Sequence, residues 1–243
     1  MAAYLFAATR DDIEKRLTFP ASINVLVMLK LAVVGDLSQC DPAGLAKALD
    51  AALAAADIVV QVGDINPGYD VLKQRLSSGK LFPIPGNHDT LGPGNWDAEL
   101  PDQPKQWQKS IGGIYMIGLD NTKDVIDQEG WSLLNGYVSA QPPSLPLFLF
   151  CHKPLSPIVL PDGTESTHIM GEGAFPNADA EKLKHFLAPL DATLCHGHYH
   201  GWTMMKPSYG TVIVDGRGGA APQIGYTLFF IDPEGWAAHS ITL

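Results

Sequence analysis

The sequence predicts an α/β fold built on a parallel-type sheet. Three observations point to it. Short, continuously apolar runs rich in Val, Ile and Leu recur from residue 29 onward. Segments of helical periodicity separate the early ones, and most of the runs stop abruptly at Gly-Asp or at a cluster of polar residues. Strands buried on both faces read as unbroken apolar runs, and parallel neighbours need a crossover, usually a helix, between them. A sheet covered on both sides by helices satisfies all three.

Residues 1–27 stand apart from this pattern. Residues 11–17 read as a short helical segment, yet Met28-Leu-Lys-Leu-Ala-Val-Val is the natural start of a first buried strand. The expectation is a peripheral extension over 1–27 and one domain over 28–243. Leu29–Val34 forms the first strand and ends at Gly35-Asp36. Asp41 then suits a helix cap and Pro42 the first helical position, while Leu45, Leu49 and Leu53 fall on one face. Ile58–Val62 is a second strand, again ending in Gly-Asp at Gly63-Asp64. A helix over Tyr69–Leu76 leads to a third strand, Leu81–Ile84, and to Pro85-Gly-Asn-His-Asp89. The second half repeats the habit. Residues 114–119 precede Asp120-Asn121-Thr122, and 145–150 run into Cys151-His152-Lys153-Pro154. A helix over 178–188 leads to a short strand at 192–195 and then His196-Gly-His-Tyr-His200. Strand-like stretches at 211–214, 226–231 and 236–242 complete the chain.

Composition narrows the partners. The 243 residues suffice for one large domain with a substantial core. Sixteen Lys and Arg against 26 Asp and Glu give a formal charge of −10, which repels nucleic-acid phosphates. Binding to a nucleic-acid duplex is disfavoured, whereas a small phosphorylated molecule is not. Three cysteines, Cys40, Cys151 and Cys195, cannot all pair within the chain, which suits reduced thiols in the cytoplasm. No apolar run reaches the ~18–20 residues of a membrane span. Residues 1–9 precede Arg10, Asp11 and Asp12, the reverse order of a secretory signal. Nothing in the sequence bears on oligomeric state.

Five strand ends carry Asp36, Asp64, Asn87-His88-Asp89, His152, and His198 with His200. A lone Asp after a strand is usually a cap or turn residue, and a lone Asn a turn former. The set is different, because side chains at the carboxyl ends of neighbouring strands converge on one crevice. Oxygen and imidazole donors mixed in this way suit Mn, Fe, Zn or Ni better than Mg or Ca, which prefer all-oxygen shells. Other residues read more plainly. His196 is a strand-end neighbour, His185 and His239 are ordinary helix and strand residues, and Cys151 and Cys195 are packing thiols. Lys153 and Arg217 suit phosphate contacts and structural roles equally. Trp96, Trp107 and Tyr115 either line a base-binding wall or pack the irregular stretch between 90 and 113.

The order Gly-Asp, Gly-Asp, Gly-Asn-His-Asp, His, Gly-His-x-His resembles the calcineurin-like metallophosphoesterase superfamily, in particular its small, cyclic-nucleotide-phosphodiesterase-like members. The resemblance runs from about residue 28 to the C-terminus. It includes Leu-Asp-Asn-Thr at 119–122, His-Lys-Pro at 152–154 and the Gly-rich stretch at 215–220. It implies a four-layer α-β-β-α sandwich of two mixed β-sheets flanked by helices, with two divalent metals at the strand ends. Asp64 would bridge them. Asp36 and His200 would serve the first, and Asn87, His152 and His198 the second. A hydroxide between the metals would attack phosphorus, and the metals would neutralise charge in the in-line transition state. His88 would face the substrate, and Asp89 would orient His88 through its other ring nitrogen.

One departure stands out. Most of the family reads Gly-Asp-x-His in the first block, whereas Ser38 occupies that place here. A purple-acid-phosphatase-like branch compensates with a tyrosine three residues after the bridging Asp, but Pro67 holds that position. Water, Gln39 or Tyr69 would have to complete the first site, and His168 is a further stand-in. Otherwise the second site acts alone, or the chain binds metal without turnover. The expectation is a working enzyme for a phosphodiester or phosphomonoester, with a lean to small diesters. The alternative is a catalytically weak metal-binding scaffold. A phosphoprotein phosphatase lacks an obvious basic docking groove here, and a nuclease is opposed by charge. A zinc hydrolase of the His-x-His-x-Asp-His kind is set aside, because His198-Tyr-His200 continues as Gly201-Trp202. If Ser38 leaves the first position short of a ligand, Ser38→His should raise the metal content per chain; unchanged content would mean that another group already fills the gap.

Overall fold

The computed structural model describes residues 28–36, 42–90, 94–139, 145–159, 165–166, 169–172, 175–216 and 224–243. The expectations for 1–27, Ser38, Gln39, Asp41, His168 and Arg217 lie outside them.

The first half alternates as expected: β1 (Leu29–Val34), α1 (Pro42–Ala55), β2 (Ile58–Val62), α2 (Tyr69–Leu76) and β3 (Leu81–Ile84). A 3₁₀ turn (Asn87–Asp89) and the one-turn helix α3 (Trp96–Glu99) lead to β4 (Trp107–Ile111) and β5 (Ile114–Gly118). Then come α4 (Gln128–Ser139), β6 (Leu147–Cys151) and four two-residue strands: β7 (Ile158–Val159), β8 (Glu165–Ser166), β9 (Gly171–Glu172) and β10 (Phe175–Pro176). Helix α5 (Ala178–Leu187) precedes β11 (Thr193–His196), β12 (Trp202–Met205), β13 (Thr211–Asp215), β14 (Gly225–Asp232) and β15 (Gly235–Thr242).

Eleven of these strands form two mixed sheets, ordered β15-β14-β1-β2-β3 and β12-β13-β11-β6-β5-β4, while the two-residue strands pair separately as β7-β8 and β9-β10. In the first, β1, β2 and β3 are parallel and β14 runs antiparallel to β1. In the second, β5, β6, β11 and β13 are parallel, with β4 and β12 antiparallel at the edges. The sheets face each other, with helices on both outer sides.

Strand geometry explains the unbroken apolar runs. Successive side chains point to opposite faces, so each central strand feeds two cores. Leu31, Val33, Val60, Phe148, Phe150, Cys195 and Ile213 fill the space between the sheets. Their alternates on β1 and β2, Ala32, Val34 and Val59, pack under Leu45 and Leu49 of α1 and Leu72 of α2. On the other side Leu147, Leu149, Leu194 and Val212 pack against Leu134 of α4 and Leu183 of α5. Side-chain alternation turns one hydrophobic strand into the wall of two layers.

Several elements were not anticipated. β4 falls in the stretch read as irregular, because four of its five residues stay exposed or half-buried and leave no apolar run. α4 includes Gly130 and Gly136, poor helix formers that blur its periodicity. Trp96, Trp107 and Tyr115 pack instead of lining a base site. Trp96 donates to the Gln103 carbonyl at 3.2 Å and Trp107 to the Pro83 carbonyl at 2.9 Å. Tyr115 lies 4.9 Å from the Tyr137 ring. Cys151 and Cys195 are buried free thiols. Among the described residues, no helix is long and apolar enough to cross a membrane.

Phe148 and Phe150 anchor the space between the sheets, Phe148 edge-on to Phe229 at 5.4 Å and Phe150 beside Trp107 at 5.9 Å. Phe150→Ala should therefore destabilise the fold by about 3–5 kcal/mol in urea unfolding. A loss below about 1 kcal/mol would show that this core re-closes easily.

Candidate metal centre

The parallel strands of both sheets end along one edge, and the polar residues beyond them meet there. Asp36 follows β1, Asp64 follows β2, Asn87 and His88 follow β3, His152 follows β6, and His198 and His200 follow β11. The backbone bends hard to bring them in. Asp36, Asp64 and His198 have φ of 52°, 58° and 65°, the left-handed region that most side chains avoid. Gly63 precedes Asp64 at φ 93°, and a Cβ there would sit 2.4 Å from His152 Nδ1. Only glycine lets β2 turn this close to the imidazole. Gln61, which interrupts the apolar run of β2, braces that turn. Its amide donates to the Gly63 carbonyl at 2.6 Å and its oxygen accepts the Gly63 N–H at 3.1 Å.

His152 is fully buried at the centre. Its Nδ1 lies 2.8 Å from the Val62 carbonyl, which can only accept, so Nδ1 holds a proton. Nε2 then points at Asn87 Oδ1 (2.9 Å), His198 Nδ1 (3.2 Å) and Asp64 Oδ1 (3.4 Å). One donor atom each from Asp64, His152 and His198 falls within 4.8 Å of the others. Lone-pair atoms gathered so tightly need a positive charge among them. In the metal-free protein a proton on His152 supplies it: burial opposes the charged ring, but Asp64 and Asp36 prevail and push its pKa up to about 9. Asp64 responds in kind. Burial opposes its ionisation, yet the His152 ring and the His88 N–H hold it down to about 2. A divalent cation in place of that proton satisfies the same four atoms, so the donor set fits a metal.

Asp36 is arranged differently. It is fully buried, and Oδ1 accepts the His198 backbone N–H at 2.9 Å, tying the two sheets together at the site. Oδ2 is buried with no hydrogen-bond partner among the described residues. A Cβ on Gly197 or Gly216 would come within 2.7 or 2.4 Å of Oδ2. Burial, with Asp64 and Asp215 nearby, raises the Asp36 pKa well above the ordinary value despite the His152 charge. His200 is farther out, its Nε2 3.9 Å from Asp36 Oδ1 and its side chain 34% exposed. The six expected ligands thus share one crevice, four tightly grouped around His152 and two, Asp36 and His200, looser.

One expectation changes, and two open alternatives are decided. Asp89 does not orient His88. Its Oδ1 accepts the Ile65 and Asn66 N–H groups (both 2.8 Å) and the Tyr69 hydroxyl (3.1 Å), and its Oδ2 accepts the Gly86 N–H (2.8 Å). That buried carboxylate locks the loops after β2 and β3 together, and its hydrogen bonds go to those loops. Tyr69 is consumed by the same network, so its hydroxyl is directed to Asp89 and not to the first position. Lys153 is a structural cation, bidentate to Asp124 at 2.8 and 2.9 Å. His88 itself stands exposed at the mouth, its backbone N–H on Asp64 Oδ1 at 3.0 Å and its Nε2 4.0 Å from Asp64 Oδ2. His196 is buried behind the candidate metal-binding residues, its ring lying 3.0 Å from the Gly197 carbonyl through Nδ1, and burial pushes its pKa down to about 4. Asp215 was overlooked. It ends β13 fully buried, its carboxylate accepting the Thr227 hydroxyl at 2.6 Å. Its place at a strand end, like that of Asp36 and Asp64, was the signal available.

A family model described as calcineurin-like phosphoesterase matches residues 29–202. No curated protein matches the chain. Among solved structures, GAP50, the anchor in the inner membrane complex of Plasmodium, aligns with a TM-score of 0.57 at 13% identity, over 88% of this chain and 84% of that one. A hypothetical protein of Pyrococcus horikoshii aligns at 0.51 and 13% identity, over 89% and 88%. A Thermus thermophilus protein aligns at 0.50 and 11%, over 88% and 99%. Identities this low establish likeness of fold.

Metal and proton compete for His152 Nε2. Apparent Mn²⁺ or Zn²⁺ affinity should rise by up to about tenfold per pH unit from neutrality and level off above pH 9, with proton release on binding. For the metal-free protein the sign is opposite. A pKa raised above the unfolded value of 6.5 gives stability present below pH 6.5 and lost as pH climbs through 9. Calorimetric titration in two buffers checks the first, and urea unfolding against pH the second.

Proposed function

The chain belongs to the calcineurin-like phosphoesterase family, and from that premise we propose that it hydrolyses a phosphoester at the crevice around His152. The convergence of Asp64, Asn87, His152 and His198 on one point supports this reading most. Those four would hold one divalent metal, Mn, Fe, Zn or Ni by donor type. Asp36, Asp64 and His200 would hold another, less completely, since neither Ser38 nor Tyr69 offers an imidazole there. Bound metals supply a water-derived nucleophile at neutral pH and charge neutralisation on the phosphoryl group.

The chain's own residues do the rest. His88, exposed at the mouth and anchored by its backbone to Asp64, is placed to donate a proton to a phosphoryl oxygen or to the leaving group. Asp89 holds His88 in place indirectly, by fixing the loop it stands on. We favour a small diester. The net charge of −10 opposes long polyanions, and Lys153, tied to Asp124, adds no cation for a phosphomonoester dianion. The free thiols of Cys151 and Cys195 support a cytoplasmic setting. A second reading has one observation in its favour: the first position lacks its family histidine. On that reading the chain is a metal-binding scaffold, a role that the Plasmodium protein's description as an anchor makes reasonable for this fold.

Protein purified with Mn²⁺ should turn over a chromogenic phosphodiester in preference to the matching monoester. His88→Ala should cut kcat by about 10²–10⁴-fold while leaving bound metal unchanged, whereas Asn87→Ala should lose metal and activity together. Metal-loaded, folded protein that hydrolyses neither ester with any divalent cation would select the scaffold reading.

A further inference from the structure

His152 lies one residue past the end of β6, where the sheet ladder no longer holds its backbone. The last ladder contact on that side is the Leu119 N–H to the Phe150 carbonyl, at 2.8 Å. Beyond it a side chain takes over. Asn121 Oδ1 accepts the N–H groups of both His152 and Lys153, each at 3.0 Å, and its Nδ2 donates to the Lys153 carbonyl at 2.8 Å. A second Nδ2 contact reaches Met170 Sδ at 3.8 Å. The amide of Asn121 thus continues β5 as a surrogate peptide, pairing with the backbone of the ligand loop as a neighbouring strand would. It is fully buried, and a buried amide is stabilising only when its hydrogen bonds are made. Here they are spent on His152 and Lys153.

The same turn grips the loop a second time. Asp124, held in the left-handed region at φ 63°, takes Lys153 Nζ on both oxygens and the Gly171 N–H on Oδ1 at 3.1 Å. Loop 152–154 is therefore fixed from one side by backbone pairing and from the other by its lysine. What remains for the His152 ring is rotation about its own bonds, and the Val62 carbonyl stops that.

We infer that Asn121 is a positioning residue for the second metal position: its amide sets the backbone from which His152 presents Nε2. The inference rests on the metal-binding reading above. It predicts that loss of the amide weakens metal binding more than an equal loosening of the turn does. Thr122 provides the comparison, since it is buried in the same turn and its hydroxyl donates to Asp120 Oδ1 at 2.6 Å, away from His152.

Mn²⁺ affinity is measured by chelator competition in the wild type, Asn121→Ala, Asn121→Asp and Thr122→Ala, with urea unfolding of each metal-free variant alongside. Asn121→Ala should weaken binding by about 10–100-fold, the usual range for partners that orient a ligand. Asn121→Asp keeps the acceptor but sets an oxygen against the Lys153 carbonyl, so it should also weaken binding, by up to about tenfold, the lower end of that range. Thr122→Ala should leave it near the wild-type value, well short of the roughly tenfold loss expected of an orienting partner, even where its stability loss matches. If Asn121→Ala does not fold, the contrast between Asn121→Asp and Thr122→Ala decides. Wild-type affinity in both Asn121 variants, or equal weakening in Thr122→Ala, overturns the inference. Wild-type protein that binds no Mn²⁺ overturns the metal reading itself, a result distinct from either.

Discussion

The site depends on where one imidazole is held. His152 is fully buried, donates to the Val62 carbonyl at 2.8 Å and aims its other nitrogen at three lone-pair atoms. Everything that brings those atoms together is a constraint on backbone. Gly63 removes the Cβ that would strike the ring, Gln61 braces the Gly63 turn, and Asn121 holds the ring's own main chain. The inter-sheet core beneath, with Phe148 and Phe150 on the strand that delivers His152, keeps the two sets of strand ends at a fixed separation. Residues of different sheets meet directly at the site, through the His198 N–H on Asp36 Oδ1 and the His152 ring on the Val62 carbonyl. A site spanning two sheets is only as rigid as the packing between them.

Electrostatics explain why the crevice is poised for a cation. Burying Asp36, Asp64 and His152 together is costly unless the charges compensate one another. Asp64 and His152 do so mutually, with their proton affinities moved in opposite directions. Asp36 is less well served, with one buried oxygen lacking a partner among the described residues and two other carboxylates nearby. Such an arrangement stores unfavourable energy that a divalent ion would relieve. The half-site around His152 has three lone-pair atoms within 3.4 Å of Nε2, whereas Asp36 and His200 stay 3.9 Å apart. That asymmetry agrees with the missing histidine at Ser38.

Much of this was legible beforehand. The strands from Leu29–Val34 to Leu81–Ile84 were readable because buried parallel strands need apolar residues on both faces, and the meeting of the candidate metal-binding side chains in one crevice because each follows such a run. β4 was not, since an exposed edge strand needs no apolar pattern. Nor were the partners of Asp89, Tyr69 and Lys153. Gly-Asn-His-Asp places Asp89 beside His88 in sequence, but the 3₁₀ turn directs its carboxylate back toward Ile65 and Asn66, on the loop after another strand. Lys153 follows His152 and invites a phosphate role until Asp124, from a different turn, is seen to take its charge.

The sequence by itself determined the class of fold, the strand ends at which chemistry collects and the kinds of atom offered there, because strand burial and turn geometry are written in local residue type. Tertiary structure alone decided which of those atoms face one another. Asn121, Asp124, Asp215 and Asp89 took their roles chiefly from partners 12 to 49 residues away, a distance over which local pattern holds no information. The direction of a hydrogen bond between loops is set only when two packed sheets bring their ends together.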